Sequence, residues 1–176
     1  ILPVGVFCCA TMLNLSFHRR VVEVWNGGLP DGYLYRPATG ERVPLVSRHL
    51  PLGVRDAASF DERCEIYSLE LGDRLFLLSD GVLEGCNSAG ELFGEARLLA
   101  VFGQNRQAEQ LFTEIQHAIG EFCGAAQDDV SMLEVTLVDE ASLNRPMLSF
   151  VDCGQFSPLD WSASFEFRAQ TLRHFN

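Results

Sequence analysis

The chain has 176 residues, of which 47% are hydrophobic and 10% aromatic. This apolar content is enough for a folded core and too high for a disordered chain. Its formal net charge is −11, from 24 acidic and 13 basic residues, and every basic residue is an arginine. A negative field of this size opposes contact with a phosphate backbone, so we expect no nucleic-acid partner.

The N-terminal part of the chain reads as two strands joined by a polar turn. Residues 6–15 and 21–25 are rich in apolar and β-favouring side chains, so we predict an antiparallel pair. The opening residues lack the basic segment and the cleavage site of a signal peptide, and no apolar run reaches the roughly 18 residues that span a bilayer. Because Ile1 opens directly into a strand-like run, we expect the chain to be cut from a longer protein.

Six cysteines show no C-x-x-C pair and no regular spacing, so the sequence carries no zinc or redox motif. Cys8 and Cys9 lie in an apolar run, where a reduced cysteine behaves as a small hydrophobe. We interpret all six as reduced thiols of a cytoplasmic protein that has no membrane partner.

Several short strands are predicted next. The turn residues of 26–32 indicate a loop. Residues 33–36 and 43–46 predict a hairpin around Ala38-Thr39-Gly40, and residues 64–69 predict a further strand.

The apolar run at residues 75–78 is the most informative stretch of the sequence, and it stops at Ser79-Asp80-Gly81. A short apolar run bounded by turn residues is typical of a strand buried on both faces. Asp80 would then have a fixed backbone while its oxygens face a cleft, which suits a metal ligand. Gly81 lets the backbone turn there. The alternative is an Asp-Gly turn that only caps the strand.

Two helices are predicted after this strand. Residues 82–90 read as a loop and residues 91–102 as a helix. Residues 107–122 form the clearest helical pattern, since their apolar side chains follow the 3.6-residue period. Gly124 suits the end of that helix.

Two strands are predicted in the rest of the chain. In residues 132–138 apolar residues alternate with polar ones such as Glu134, so we predict one face inside and one outside. The character of the sequence changes after residue 138. We interpret 139–176 as a linker followed by a strand at 161–169.

Two acidic positions share a layout, because Asp80 follows one predicted strand and Asp128-Asp129 precede another. If these strands are antiparallel neighbours, Asp80 and Asp128 meet at one edge of the sheet. Carboxylates that converge with little positive charge nearby suit a hard divalent cation such as Mg²⁺ or Mn²⁺. The alternative is that Asp128-Asp129 form only a solvated turn after a helix.

Four motifs, in this order along the chain, carry a resemblance to a known family: WNGGLP, LPLGV, SDGVLEGCNSAGELFGEARL and QDDVSMLEV. Together they resemble the C-terminal half of a PPM-type metal-dependent protein phosphatase. The closest likeness is to the bacterial SpoIIE-like branch, and it runs from about residue 7 to residue 138.

The resemblance implies an α/β fold of the α+β type, in which antiparallel sheets flanked by helices form a sandwich that is incomplete at the N-terminus. It also implies that Asp80 and Asp128 bind the same one of two Mn²⁺ or Mg²⁺ ions. Asp129 and Gly81 would support these ligands, with Asp129 orienting Asp128 or the turn. The ions would activate a water that attacks the phosphorus of phosphoserine or phosphothreonine.

The sequence departs from the family pattern in two places. Leu29 follows Gly28 where the family usually has histidine, so any polar role of that histidine is missing. The first acidic strand and the G-D-x-S-G-H-G segment, whose Asp bridges both metals in the family, do not occur in these residues. We therefore expect half of the metal site, and a fragment that is inactive on its own.

The function that the resemblance implies is a phosphatase domain of a bacterial signalling regulator, acting on a phosphorylated anti-sigma-factor antagonist in the cytoplasm. The alternative is a catalytically inactive PPM-like module that only binds a regulatory partner. Missing N-terminal strands would leave a sheet edge unpaired, so a dimer is also considered.

The tail of the chain resembles, loosely, the start of a histidine-kinase-type ATPase domain. The division expected is therefore a phosphatase part at 1–138 and, at 139–176, a linker with the start of a following ATPase-like domain. The alternative is an extra strand on the phosphatase sheet.

Overall fold

Two antiparallel β-sheets and three α-helices make up the part of the chain that the computed structural model describes: residues 5–16, 18–104, 107–124, 130–138 and, for the backbone, 165–172. The strands are β1 (Ala10–Ser16), β2 (Val21–Gly27), β3 (Gly32–Arg36), β4 (Glu41–Leu45), β5 (Glu65–Ser68), β6 (Arg74–Leu78), β7 (Val130–Leu137) and β8 (Phe165–Leu172). The helices are α1 (Asp80–Glu84), α2 (Gly94–Gln104) and α3 (Leu111–Cys123). Short 3₁₀ turns lie at Ala57–Ser59 and Ala108–Gln110.

The strands form a three-stranded sheet in the order β1-β2-β5 and a five-stranded sheet in the order β4-β3-β6-β7-β8. One hydrophobic core joins the two sheets, with side chains such as Val22, Leu34, Leu75 and Val135. A second core joins the five-stranded sheet to the three helices. The α+β sandwich of antiparallel sheets with flanking helices is therefore confirmed, and the five-stranded sheet is its middle layer.

The central position of β6 follows from its apolar run. Leu75, Phe76 and Leu78 are all buried, with Leu75 in the core between the sheets and the other two in the core under the helices. Strand β6 pairs antiparallel with β3 on one side and β7 on the other. The prediction of a strand buried on both faces is confirmed.

Strand β7 is also buried on both faces, so the prediction of one inner and one outer face is wrong. Val135 contributes to the core between the sheets, Met132 packs under the helices, and Glu134 on that helical side is 0% exposed. Glu134 is tolerated there because its Oε1 accepts a hydrogen bond from Arg74 Nη1 at 2.5 Å. A buried ion pair needs such a partner to offset the cost of removing the charges from water.

Helices α2 and α3 begin later than the sequence pattern predicts, and the pattern does not predict α1. The pattern predicts a loop over residues 82–90, but the first of these residues complete the single turn of α1 before the loop begins at Gly85. Helix α3 follows its predicted apolar period, with Ile115 and Ile119 among its buried residues. It ends at Gly124, whose φ of 68° and N–H donation to the Gly120 carbonyl confirm the predicted cap.

The predicted hairpins are present. Strand β1 pairs antiparallel with β2, although it begins at Ala10 rather than at residue 6. Strand β3 pairs antiparallel with β4 around a turn in which Gly40 has a φ of 72°. No helix among the described residues is long and apolar enough to cross a bilayer.

Strand β8 pairs antiparallel with β7 and extends the five-stranded sheet at that side. Residues 139–164, which include most of the predicted linker, lie outside the described residues. The division into a phosphatase part and the start of a second domain stays a prediction.

Candidate metal centre

Ser79 ties the end of β6 to the start of β7. Its backbone N–H donates to the carbonyl of Ser131 at 2.9 Å, and its Oγ accepts from the Ser131 N–H, also at 2.9 Å. The adjacent register pair is Leu78 with Met132. The chain that leaves β6 is therefore held against the chain that enters β7.

Asp80 begins α1, directly after this tie. Val82 is fully buried in the core under the helices, and its N–H donates to the Ser79 carbonyl at 3.1 Å. The backbone around Asp80 is fixed by these contacts, while the Asp80 side chain is exposed. Its Oδ1 accepts one hydrogen bond, from the Gly81 N–H at 3.0 Å. The second carboxylate oxygen has no partner among the described residues, so Asp80 fits the role of an oxygen ligand to a hard cation.

Gly81 is buried beneath the carboxylate. Its carbonyl accepts from the Gly85 N–H at 3.2 Å, which closes the turn of α1. Gly85 itself has little room, because a Cβ there would lie 2.8 Å from Cys123 Sγ. The loop that follows α1 therefore packs against the end of α3, the helix that precedes Asp128 in the sequence.

Asp128 and Asp129 lie outside the described residues, so their approach to Asp80 stays a prediction. The first described residue of β7 is Val130, two positions after Asp128 in the sequence. Within the described ranges no group of three or more His, Cys, Asp or Glu side chains gathers in a way that could hold a metal. Of the predicted metal ligands, Asp80 alone is among the described residues.

The WNGGLP and LPLGV segments, which are separate motifs in the sequence, contact each other. The N–H of His49 donates to the Asn26 carbonyl at 3.0 Å, and the Gly28 N–H donates to the His49 carbonyl at 3.1 Å. Gly28 has a φ of 82°, and a Cβ on it would lie 2.5 Å from the ring of Pro51. Only glycine fits this turn without displacing its neighbours.

A cleft of about 210 Å³ opens between these segments and the chain that leads to β5. Its wall is Trp25, whose ring stacks on that of His49 with centroids 5.0 Å apart and an interplanar angle of 5°. The Trp25 indole N–H donates to the Asp61 carbonyl at 2.8 Å, and Phe60 packs on the Trp25 ring at 5.6 Å. Hydrogen bonds from Arg63 hold the pKa of the Asp61 carboxyl well below its usual range.

The cleft lies at the same end of the sandwich as Asp80. Strand β3 begins beside the end of β6, since Tyr33 pairs with Phe76 in the antiparallel register. Asp31, in the turn before β3, accepts a hydrogen bond from the Ser47 N–H at 2.7 Å. This contact joins the turn to the segment that carries His49, so the cleft and Asp80 share one end of the two sheets.

The cleft is not evident from the sequence. The two motifs that border it are recognisable there, but His49, Phe60 and Asp61 carry no spacing signal that links them to Trp25. The only hint is local, namely that arginines flank the LPLGV segment at Arg48 and Arg55.

Known proteins share this fold. The profile of the family described as stage II sporulation protein E (SpoIIE) matches residues 1–138. The fold is similar to the SiaA-PP2C domain of Pseudomonas aeruginosa, with a TM-score of 0.59 and 20% identity over 72% of this chain and 50% of that one.

The phosphatase domain of the cell fate determinant SpoIIE from Bacillus subtilis is similar as well. Its manganese-presoaked structure gives a TM-score of 0.53 and 14% identity, over 78% of this chain and 58% of that one. A second structure of the same domain gives 0.52 and 14%, over 78% and 60%. The chain thus spans half to three-fifths of the length of these structures. No curated protein is similar enough to count as a relative.

Proposed function

The chain belongs to the SpoIIE family of PPM-type phosphatase domains, and on this premise we propose that it forms part of a metal-dependent phosphoserine and phosphothreonine protein phosphatase in a bacterial signalling protein. The observation that carries the proposal is the exposed Asp80 carboxylate on a fixed backbone at the end of β6. The hydrogen bonds between Ser79 and Ser131 support it, because they hold Ser131, three positions after Asp128 in the sequence, beside the end of β6.

Each residue has a separate task in the proposed reaction. Asp80 and Asp128 would hold one divalent cation through carboxylate oxygens, and Asp129 and Gly81 would keep these ligands in place. When bound, Mn²⁺ or Mg²⁺ supplies an activated water and neutralises charge on the phosphoryl oxygens. The hydrogen bond from the Gly81 N–H to Asp80 Oδ1 fixes one carboxylate oxygen, and the other would be available to the ion.

The proposed substrate is a phosphorylated protein, and within this family branch an anti-sigma-factor antagonist in the cytoplasm is the partner we propose. The competing function is a module that binds such a partner without turnover. Leu29 favours this alternative, since it places an apolar side chain where the family usually has histidine.

The test is Asp80→Asn in a version of the chain extended at its N-terminus through the remaining motifs of the family. We expect Mn²⁺-dependent hydrolysis of p-nitrophenyl phosphate to fall by at least about a hundredfold, since even residues that only support metal ligands are worth roughly ten- to a hundredfold. The matched control is Asp56→Asn, which makes the same charge change on an exposed aspartate that caps the 3₁₀ turn at Ala57–Ser59. Asparagine caps equally well, so that variant keeps full turnover.

The outcome also separates the two functions. Turnover that needs Mn²⁺ or Mg²⁺ and is lost with Asp80 supports the phosphatase. An extended chain that binds phosphoprotein yet hydrolyses nothing at any metal concentration supports the binding module, and full activity of Asp80→Asn contradicts the assigned ligand.

A further inference from the structure

We propose that the cleft beside Trp25 is a docking site for an acidic, apolar-anchored peptide segment of the phosphoprotein substrate, next to its phosphorylated residue. This inference rests on the proposed function for the identity of the partner. It assigns a second recognition element, which contacts the polypeptide of the substrate rather than its phosphoryl group.

Large apolar side chains at the cleft are exposed to solvent. Leu50 and Phe60 line it and are 50% and 44% exposed, and Val54, next to the lining residue Gly53, is 50% exposed. Trp25 forms the wall behind them and is itself buried. Exposed apolar side chains grouped around a concavity are typical of a site that binds another molecule.

The walls of the cleft are held in place before any ligand binds. Trp25 is fixed by its hydrogen bond to the Asp61 carbonyl and by its stack on His49. The His49 ring is fixed in turn, because Nε2 lies 2.9 Å from the Arg63 carbonyl oxygen. A pre-organised aromatic wall lowers the entropy cost of binding a peptide side chain.

The charge of the cleft selects an acidic partner. Arg55 lines it, is exposed, and has no ion-pair partner among the described residues. The other arginines near the cleft are already neutralised, since Arg48 pairs with Glu65 and Arg63 with Asp61. A free guanidinium at the rim of an apolar pocket is complementary to a carboxylate that follows an apolar side chain.

A second copy of this chain is a poorer occupant. Each copy carries a formal net charge of −11, so two copies meet far more like-charge repulsion than one copy and a short peptide with a single carboxylate. The position of the cleft also favours the substrate, because Asp80 lies at the same end of the sandwich. A peptide whose phosphorylated residue is at the metal ligand can therefore extend along this end toward Arg55.

The experiment uses the indole N–H cross-peak of Trp25 in heteronuclear NMR spectra of the full chain. Trp161 is the only other tryptophan, so a Trp161→Phe variant assigns the peak. Three short unphosphorylated Gly-Ser peptides are titrated in EDTA, one carrying Leu-Glu, one Leu-Lys and one Ser-Glu. Without metal or phosphate, the titration reports the cleft alone, whatever the outcome of the phosphatase assay.

We expect the Leu-Glu peptide to shift the Trp25 peak at roughly fivefold lower concentration than the Leu-Lys peptide. A difference of this size is what one solvent-exposed ion pair contributes to binding. The Ser-Glu peptide should bind more weakly than Leu-Glu because it lacks the apolar anchor. Arg55→Glu should reverse the order of the Leu-Glu and Leu-Lys peptides. The matched control Arg19→Glu makes the same charge change at the β1–β2 turn, at the opposite end of the sandwich, and should leave the order unchanged.

Three results would overturn the proposal. The first is equal binding of the Leu-Glu and Leu-Lys peptides by the unaltered chain. The second is an order of affinities that Arg55→Glu does not change. The third is a Trp25 peak that moves with protein concentration and not with peptide, which would assign the cleft to a second copy of the chain.

Discussion

Gly28 shows how closely the backbone is packed near the proposed site. It has a φ of 82°, and a Cβ added to it would lie 2.5 Å from the Pro51 ring and 2.9 Å from Cys9 Sγ. A positive φ alone is a modest cost for alanine, but the crowding adds a second one. The turn between β2 and β3 is therefore restricted to glycine for two separate reasons.

Gly28→Ala is expected to lower the free energy of unfolding by the sum of both effects, about 1–2 kcal/mol for the left-handed backbone and about 1–3 kcal/mol for the overlap with Pro51. Gly40→Ala isolates the first effect, because Gly40 has a φ of 72° and open space around its Cβ position. Urea unfolding of both variants gives the comparison. Equal losses in the two would show that Pro51 moves aside freely.

At the level of secondary structure, the junction of β6 and β7 depends on one hydroxyl group. Ser79 Oγ accepts a hydrogen bond from the backbone N–H of Ser131. The acceptor for this strand N–H is therefore a side-chain hydroxyl and not a backbone carbonyl. The start of β7 is thus secured by a residue from the site itself. Removing that acceptor should loosen the chain on the side that leads to Asp128.

Ser79→Ala is expected to destabilise the fold by about 1–3 kcal/mol, because a partly buried N–H loses its acceptor. Ser79→Thr keeps the hydroxyl and serves as the control. Amide hydrogen exchange at Ser131 should accelerate in the alanine variant and not in the threonine variant. Unchanged exchange at Ser131 in Ser79→Ala would mean that the backbone bonds of the junction suffice.

The same elements show what the sequence can and cannot predict. The run at residues 75–78 and the β3–β4 hairpin depend on neighbouring residues, so their local patterns identify them. The burial of Glu134 depends on Arg74, which is 60 positions away, and a local alternation of polar and apolar residues cannot contain that information. The cleft escapes prediction for the same reason, since Trp25 meets Asp61 across 36 positions.

For the molecule as a whole, the sequence predicts the proposed metal site only in part. The position of Asp80 at a strand end is predictable because a buried run and a turn sequence are local signals. The pairing of Asp128 with Asp80 is predicted from the layout of the two strands and from the resemblance, and the position of Asp128 relative to Asp80 stays a prediction. The family motif that bridges the two ions does not occur in these 176 residues.

This chain alone is therefore expected to bind Mn²⁺ more weakly than a version extended through the missing motifs, and to have negligible phosphatase activity. Two carboxylates supply only part of the octahedral oxygen set that such an ion prefers. Calorimetric titration with Mn²⁺, beside a phosphopeptide hydrolysis assay on both versions, makes the comparison. Equal affinity and equal turnover would contradict the view that the site is divided.

The buried pair of Arg74 and Glu134 also limits how this protein can change over evolutionary time. Each side chain is buried, at 7% and 0% exposure, so losing either one removes the nearest opposite charge from a charge in the core of the sheet, although Arg74 keeps a longer contact to the exposed Glu109 at 3.7 Å. A lineage can replace both by apolar residues at little cost in stability, but each single intermediate is strongly disfavoured. Among homologues, these two positions should therefore be substituted together or not at all. Their joint substitution would also remove the only ion pair between β6 and β7, among the described residues, that opposes a shift in the register of the two strands.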